Sequence, residues 1–234
     1  MTRARHNILG GVNAILPYGS MVANHADNDN SVNAPWTLVP PAGMKVGDLV
    51  YVNSSVGSSL RNFTIPVTGG QTWTTVQQRA GSSPEIWTSW CRFNGTWTAN
   101  PSFSIDGTNV AKSVYLFVYR PPKVGATWAV DQTRIDGFDS GSPSYTVTGI
   151  TNTHPNNVTT LILNGGQYPT TYTVTGAGWK RIGPNKITNT GPNPRTNSFA
   201  YQVQGNNYGA TGNASFLMTA SGFMFTTILS FYFT

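Results

Sequence analysis

A series of short strand-like blocks occurs twice along the chain, in the same order. The matching positions are Trp36 and Tyr145, Asp48 and Asn157, Phe63 and Tyr172, Trp73 and Trp179, Trp87 and Phe199, Phe103 and Phe216, and Phe117 and Phe231. The first three pairs are 109 positions apart, and the other four are between 106 and 114 apart. Turns accept insertions and strand registers do not. These small changes of offset therefore predict a duplicated β unit, and chance similarity between Thr- and aromatic-rich segments is the alternative.

The composition favours strands over helices. Charged residues make up 9% of the chain, against about 25% in an average globular protein. The polar surface must come from Asn, Thr, Ser, Gln and Gly, which suit turns and strands. The aromatic content of 12% excludes a disordered chain, because so much apolar surface has to be buried. We predict an all-β fold, an antiparallel β-sandwich or jelly roll built from two repeated units.

The turn-rich segments divide the chain into four parts. We predict an extended N-terminal arm over residues 1–35, a first sandwich unit over 36–120, a packed connector over 121–144 and a second unit over 145–234. One short strand is expected in the connector. The arm is expected to cap a sheet edge or to pack against a neighbouring subunit.

Four aromatic residues are predicted to lie in the core of this fold. They are Trp73, Trp179, Phe117 and Phe231. The strand around residue 90 has aromatic residues on both faces, which predicts that both of its faces are covered. Cys91 is the only cysteine, so no intramolecular disulfide can form, and its position in this strand predicts a small core residue.

Charge and hydropathy exclude several classes of partner. The net charge is +6, but the 14 Lys and Arg residues are scattered, so no arm for nucleic-acid binding is predicted. No segment approaches the roughly 20 apolar residues of a membrane span. The N-terminal residues do not have the pattern of a signal peptide. We therefore predict a chain that is made in the cytoplasm and does not insert into a membrane.

The ionisable residues form no catalytic motif in the sequence. Asp136 and Asp139 are the only close acidic pair outside the arm, and their Gly/Ser/Pro surroundings indicate turns. The three histidines are isolated at His6, His25 and His154. The Asx-rich segment 25–30 lacks the later Gly and the closing Glu of a calcium loop. We predict no catalytic residue, no metal site and no cofactor.

Four aromatic residues in loop-like surroundings are candidates for ligand binding. They are Trp97, Trp128, Tyr168 and Tyr208, and they lie beside Asn, Gly and Thr. An aromatic ring covers the apolar face of a sugar while amide groups meet its hydroxyl groups. The alternative is that the same rings cap the ends of the sandwich or form a subunit contact.

Residues 36–234 resemble a group of virion accessory proteins of tailed bacteriophages. The similarity consists of the Gly47-Asp48-Leu-Val segment, the turns before Trp73 and Trp179, the aromatic last strand of each unit and the charge-poor Asn/Thr/Gly composition. The resemblance implies a β-sandwich module on the virion exterior, in the tail tip or fibre region or as capsid decoration, and it implies assembly as a trimer. It supplies no catalytic residues.

The expected function is that of a non-enzymatic structural virion protein. The tail is preferred, because a basic surface with scattered aromatic residues suits contact with an anionic host surface or its glycans. The arm of residues 1–35 is expected to bind other virion proteins. The alternatives are a capsid decoration protein and, in a different class, a carbohydrate-binding module or lectin.

Overall fold

The computed structural model describes most of the chain as strands. The described residues are 16–17, 22–26, 36–37, 40, 43–56, 63–68, 70–79, 85–105, 112–121, 125–138, 143–166, 172–181, 186–187, 195–218 and 224–234. They form eighteen strands and no helix, so the described part contains no helix that could cross a membrane. Tyr168 and the end of the Asx-rich segment, residues 27–30, lie outside these ranges.

The first half of the molecule has nine strands in two antiparallel sheets. They are β1 (Leu16–Pro17), β2 (Val22–Ala26), β3 (Trp36–Thr37), β4 (Leu49–Val56), β5 (Phe63–Val67), β6 (Thr74–Arg79), β7 (Glu85–Arg92), β8 (Ser102–Ile105) and β9 (Lys112–Arg120). The large sheet has the order β9-β4-β7-β6, and both β1 and β2 pair with the outer edge of β9. The small sheet has the order β3-β8-β5.

The second half has the remaining nine strands. They are β10 (Trp128–Phe138), β11 (Ser144–Val147), β12 (Asn157–Gly166), β13 (Tyr172–Thr175), β14 (Lys180–Arg181), β15 (Lys186–Ile187), β16 (Arg195–Gln204), β17 (Ala214–Met218) and β18 (Met224–Phe233). The large sheet runs β10-β18-β12-β16, with β14 and β15 both on β16, and the small sheet runs β11-β17-β13.

Both halves have the same strand order, with the first strand beside the last, as in a jelly roll. The predicted all-β, antiparallel sandwich is confirmed. In the small sheets, Trp36 pairs with Phe103 and Tyr145 pairs with Phe216, so these aligned positions are equivalent. Descent of the two halves from one duplicated sequence stays a prediction.

Trp87 and Phe199, which the sequence alignment pairs, are not equivalent in the structure. The ring of Trp87 stacks on Phe63 at 4.9 Å and faces the small sheet of the first half. Phe199 instead lies on the face of its large sheet that meets the other half. The two rings point to opposite sides of their sheets, so the offset of 112 positions is wrong for β7 and β16. A shift by one residue is enough to exchange the faces of a strand.

The segments predicted as connector and arm both contain strands that pair with a large sheet. The connector 121–144 contains the eleven-residue strand β10, where a short strand was expected. This strand is long because it pairs with the whole length of the apolar strand β18 and covers its edge. In the same way, β1 and β2 from the predicted arm cover the edge of β9 in the same chain. The strands at the two edges therefore belong to the sandwich units.

The two large sheets pack face to face through a buried layer, here called the central layer. Its buried members include Tyr51, Tyr115, Phe117, Tyr119, Trp128, Phe199, Phe231 and Phe233. Rings from opposite sheets are in contact, with centroids 5.6 Å apart for Tyr51 and Phe231 and 4.7 Å apart for Tyr115 and Phe199. Each fully buried aromatic side chain contributes roughly 1.5–3 kcal/mol. The predicted burial of Phe117 and Phe231 is confirmed.

Two outer cores fill the space between each large sheet and its small sheet. The first contains Trp73, Cys91 and Leu116, and the second contains Leu161 and Phe216. Cys91 is therefore the core residue that the sequence predicted, and burial raises the pKa of its thiol. The order of layers is small sheet, large sheet, large sheet, small sheet.

Trp73 and Trp179, which the sequence analysis treated as equivalent, differ in burial. Trp73 is buried in the first outer core, and its indole Nε1 donates to the hydroxyl of Thr68. Trp179 is only half-buried against the second outer core. The prediction of a core role is therefore correct for Trp73 and only partly correct for Trp179.

Candidate binding surface at the Trp128 end

The two halves are joined at one end of the central layer by Trp128, the first residue of β10. Its indole is buried, and it packs edge-on against Phe233 with ring centroids 5.5 Å apart. The indole Nε1 donates to the carbonyl oxygen of Gly47, in the turn before β4, at 2.9 Å. Next to it, Thr127 and Thr234 are joined by two backbone hydrogen bonds. We call this part of the molecule the Trp128 end.

The same kind of turn precedes β4 in the first half and β12 in the second. Gly47 and Asn156 both have left-handed backbone conformations, with φ of 94° and 55°. The Gly47 amide donates to the carbonyl of Phe93, and the Asn156 amide donates to the carbonyl of Gly205. Glycine adopts this conformation without steric cost, and asparagine tolerates it better than most residues.

The side chains around the two turns define two corners of the Trp128 end. The first corner consists of Asp48, Arg92 and Arg120, and the second consists of Asp131, His154 and Tyr232.

In the first corner, Asp48 is fully engaged within the protein. Its two carboxylate oxygens accept hydrogen bonds from Nε and Nη2 of Arg120 at 3.0 and 2.9 Å, and the Lys45 amide donates to Oδ2. Arg120 also donates to the carbonyl of Gly43. Charge-assisted, two-pronged bonds of this kind fix geometry. The ion pair therefore holds the turn over residues 43–48, and its acid has no open position for a substrate.

A pocket of about 270 Å³ opens beside this ion pair. It is lined by Val46, Arg92, Phe93 and Asn94, and the Val46 side chain at its rim is 69% exposed. The Asn94 amide donates to the Gly70 carbonyl at 2.7 Å, which fixes that wall. The Nε atom of Arg92 is buried and has no hydrogen-bond partner among the residues that the structure describes. The pocket thus combines an apolar rim with an arginine whose Nε is unpartnered in the described part of the chain.

In the second corner, Asp131 occupies a β-bulge. The register of β10 against β18 shifts between Val130 and Gln132, so the side chain of Asp131 is re-aimed out of the regular ladder. The carboxylate is completely buried. It accepts hydrogen bonds from the backbone amides of Thr153 and His154, from the hydroxyl of Thr153 and from Nδ1 of His154 at 3.0 Å.

These bonds keep the carboxylate of Asp131 ionised. Burial acts to raise the pKa of Asp131, but the hydrogen bonds from Thr153 and His154 together outweigh it, so the pKa is lowered. A charged acceptor favours the His154 tautomer that carries its proton on Nδ1, which leaves Nε2 as an acceptor.

The His154 ring is presented at the surface on an aromatic support. It stacks flat on Tyr232, with ring centroids 3.9 Å apart and an interplanar angle of 5°, and the His154 side chain is 46% exposed. An acid–histidine pair occurs in nucleophilic catalysis, where the histidine bonds to a nucleophile. In the described part of the chain, no serine, threonine or cysteine is hydrogen-bonded to Nε2 of His154. The arrangement suits hydrogen bonding and stacking with a ligand.

The three described residues that the sequence predicted as ligand-binding lie at this end, in different environments. Trp97 is half-buried; it packs on Phe93, and its Nε1 donates to the Gln71 side chain at 3.1 Å. Trp128 is buried at the junction of the halves, so its role is in packing. Tyr208 is 47% exposed and is the one of the three with an open ring.

Tyr208 is also close to the second corner. The next residue in its loop, Gly209, accepts a hydrogen bond from the Asn152 amide at 2.9 Å, and Asn152 lies two residues before His154. Sequence reasoning did not find Asp131 and His154 as a pair. They are 23 positions apart, and a β-bulge, which has no local sequence signature here, brings them together.

No family model, curated protein or solved structure matches this chain. Within the described ranges, no three His, Cys, Asp or Glu side chains are grouped so as to hold a metal ion.

Proposed function

We propose that this chain is a non-enzymatic structural protein of a tailed-phage virion, located on the exterior in the tail tip or fibre region. The observation that carries the proposal is the architecture: two jelly rolls with the same strand order, joined back to back through a buried aromatic layer. Jelly rolls recur in viral capsid proteins and in lectin domains. A fold does not by itself fix a function, so the sequence resemblance supplies the second line of support.

The Trp128 end is the surface that we propose contacts the host. It exposes Tyr208 and His154, and the basic side chains around the first corner give it an affinity for anionic groups. The buried central layer suits this role, because an extensive buried contact between the two units keeps them in one fixed orientation. The described arm strands pair with β9 in the same chain. The arm of residues 1–35 remains the proposed contact with other virion proteins.

A capsid decoration role shares every element of this proposal except the location on the particle. A lectin is the candidate from a different class, and the position of Tyr208 favours it. Its exposed ring follows the exposed amide side chains of Asn206 and Asn207 in the same loop, and a ring with amide groups is the combination that suits sugar recognition.

Gold-labelled antibody against this chain, applied to purified particles and viewed by electron microscopy, tests the proposal. Label at the tail is the expected result. Label over the head would replace the tail assignment by decoration. Absence of label on intact and on detergent-opened particles would overturn the virion proposal, and binding of the purified chain to a glycan array would then support the lectin.

A further inference from the structure

We propose that the pocket around Arg92 is a binding site for a carboxylate that carries a short apolar group. The site is separate from the second corner, and the inference holds whether or not the chain belongs to a virion.

The first argument is the state of the Arg92 guanidinium. Its Nε is buried and has no hydrogen-bond partner among the described residues. A buried donor without an acceptor costs roughly 1–3 kcal/mol. Arginine donates two parallel hydrogen bonds to planar ligands that carry two oxygen atoms, such as carboxylates. The group is therefore held in place without the acceptor that it needs.

The second argument is that, among the described residues, the acid of this corner is already engaged with another arginine. Asp48 is the carboxylate of the first corner, and both of its oxygens are bonded to Arg120. With Arg92 and Lys45 nearby, the corner keeps an excess of positive charge after this ion pair is counted. An anion from outside the chain is the complementary partner.

The third argument is the shape of the site. The guanidinium lies over the turn at Gly47, where its Nη2 and Nε atoms are 3.7 and 3.8 Å from the position that a Cβ would take, an ordinary contact distance. The exposed side chain of Val46 and the ring of Phe93 give the pocket apolar walls. Its volume of about 270 Å³ is below the usual 300–1,000 Å³ of drug-sized sites. The site fits one acidic group and a few carbon atoms.

These features give an order of affinity. Propionate is expected to bind more tightly than acetate, because its methyl group can contact Val46. Inorganic phosphate is expected to bind more weakly than propionate, because it has no apolar part. A free organic acid presents the same carboxylate as an acidic sugar or a peptide terminus. Comparing the affinity for propionate with the affinity for glucuronate distinguishes a free acid from an acidic sugar.

Titration of the full chain with these anions, followed by NMR chemical shifts or calorimetry, tests the site. The wild-type chain should show saturable propionate binding in the millimolar range. Arg92→Gln should lose at least tenfold in affinity, and Arg92→Lys, which keeps the charge but not the two-pronged geometry, should lose less. Arg181→Gln removes the same charge from an exposed residue of β14 and should bind propionate like the wild type.

Val46→Ser supplies a second test that does not touch the arginine. It should remove the preference for propionate over acetate and leave acetate binding unchanged. The proposal is overturned if the wild-type chain shows no saturable binding, or if Arg92→Gln binds propionate as well as Arg181→Gln does. Phosphate binding tighter than propionate would overturn the assignment to a carboxylate.

Discussion

The two halves of the molecule share a strand order but carry different chemistry at equivalent corners. The turn before β4 leads into Asp48, which forms an ion pair with Arg120. The turn before β12 leads into Asn157, which is neutral; its side chain donates to the His154 carbonyl and accepts from Asn152. The topology thus fixes where a side chain stands, and the residue type alone decides what it can bind.

The acidic residue of each corner also comes from a different strand of its half. In the first half the acid comes from the strand that starts at the turn. In the second half the acid is Asp131 on the covering strand β10, and the bulge there directs it towards His154. The first half has β1 and β2 in the corresponding place along β9. A covering strand can therefore add a functional group to a jelly roll without altering its core.

The largest expected difference between the halves concerns the outer cores. Trp73→Ala should lower the free energy of unfolding by about 3–5 kcal/mol, because a buried indole and its hydrogen bond to Thr68 are lost. Trp179→Ala should cost at most about half as much, because its ring is half exposed. Denaturant unfolding of both variants measures this. Equal costs would show that the two sites are packed alike.

The ion pair of the first corner gives the next effect. Asp48→Asn should cost about 2–3 kcal/mol, because Asp48 is buried and three charge-assisted bonds are weakened. The side chain of Arg120 is 28% exposed, so water partly solvates its guanidinium group when the carboxylate is removed. The control is Asp136→Asn, which breaks the ion pair with Arg134, a pair more exposed than that of Asp48 with Arg120, and which should cost no more than about 1 kcal/mol. Urea unfolding of both variants measures the two costs. Equal costs would show that the ion pair of Asp48 stabilises the fold no more than the exposed pair of Asp136.

The sequence was informative about fold class because composition and alternation report directly on strands. Scarce charges and the apolar blocks predicted an all-β sandwich, and the residues with the most apolar surface, such as Phe117 and Phe231, are in the core. The register of β7 could not be predicted. Trp87 and Trp90 are both aromatic, and only the pairing with β4 decides which of the two faces the central layer.

The candidate surface was harder to predict than the fold. Loop-like surroundings identified Tyr208 correctly as an exposed ring, but the same signal selected Trp128, which is buried. The environment of Trp128 depends on contact with Gly47, 81 positions away in the chain. Asp131 and His154 are likewise joined by tertiary structure. Local sequence therefore predicted the strands. The two corners could not be predicted, because only tertiary packing brings their residues together.

The second corner predicts a dependence on pH. The lowered pKa of Asp131 means that its ionised form stabilises the fold above the ordinary aspartate pKa of about 4, and that this stabilisation is lost as the pH falls through the folded-state pKa. Asp131→Asn should therefore cost about 1–2 kcal/mol at pH 7, and the difference from the wild type should shrink as the pH is lowered below 4. Urea unfolding of both proteins between pH 7 and 3 measures it. A difference that grows at low pH would contradict the lowered pKa.

The smallest effects concern the two left-handed turns, where the comparison is between backbones. Gly47→Ala should cost about 1–2 kcal/mol from the left-handed conformation alone, since a Cβ there would meet Arg92 only at ordinary contact distance. Asn156→Gly should change stability by no more than about 0.5 kcal/mol. It relieves the backbone at φ 55° but adds freedom to the unfolded chain. Asn156→Ala is the matched variant and should resemble Gly47→Ala, because alanine tolerates this conformation poorly. Thermal unfolding of the three variants gives the comparison, and a neutral Gly47→Ala would show that the turn before β4 can relax to an ordinary conformation.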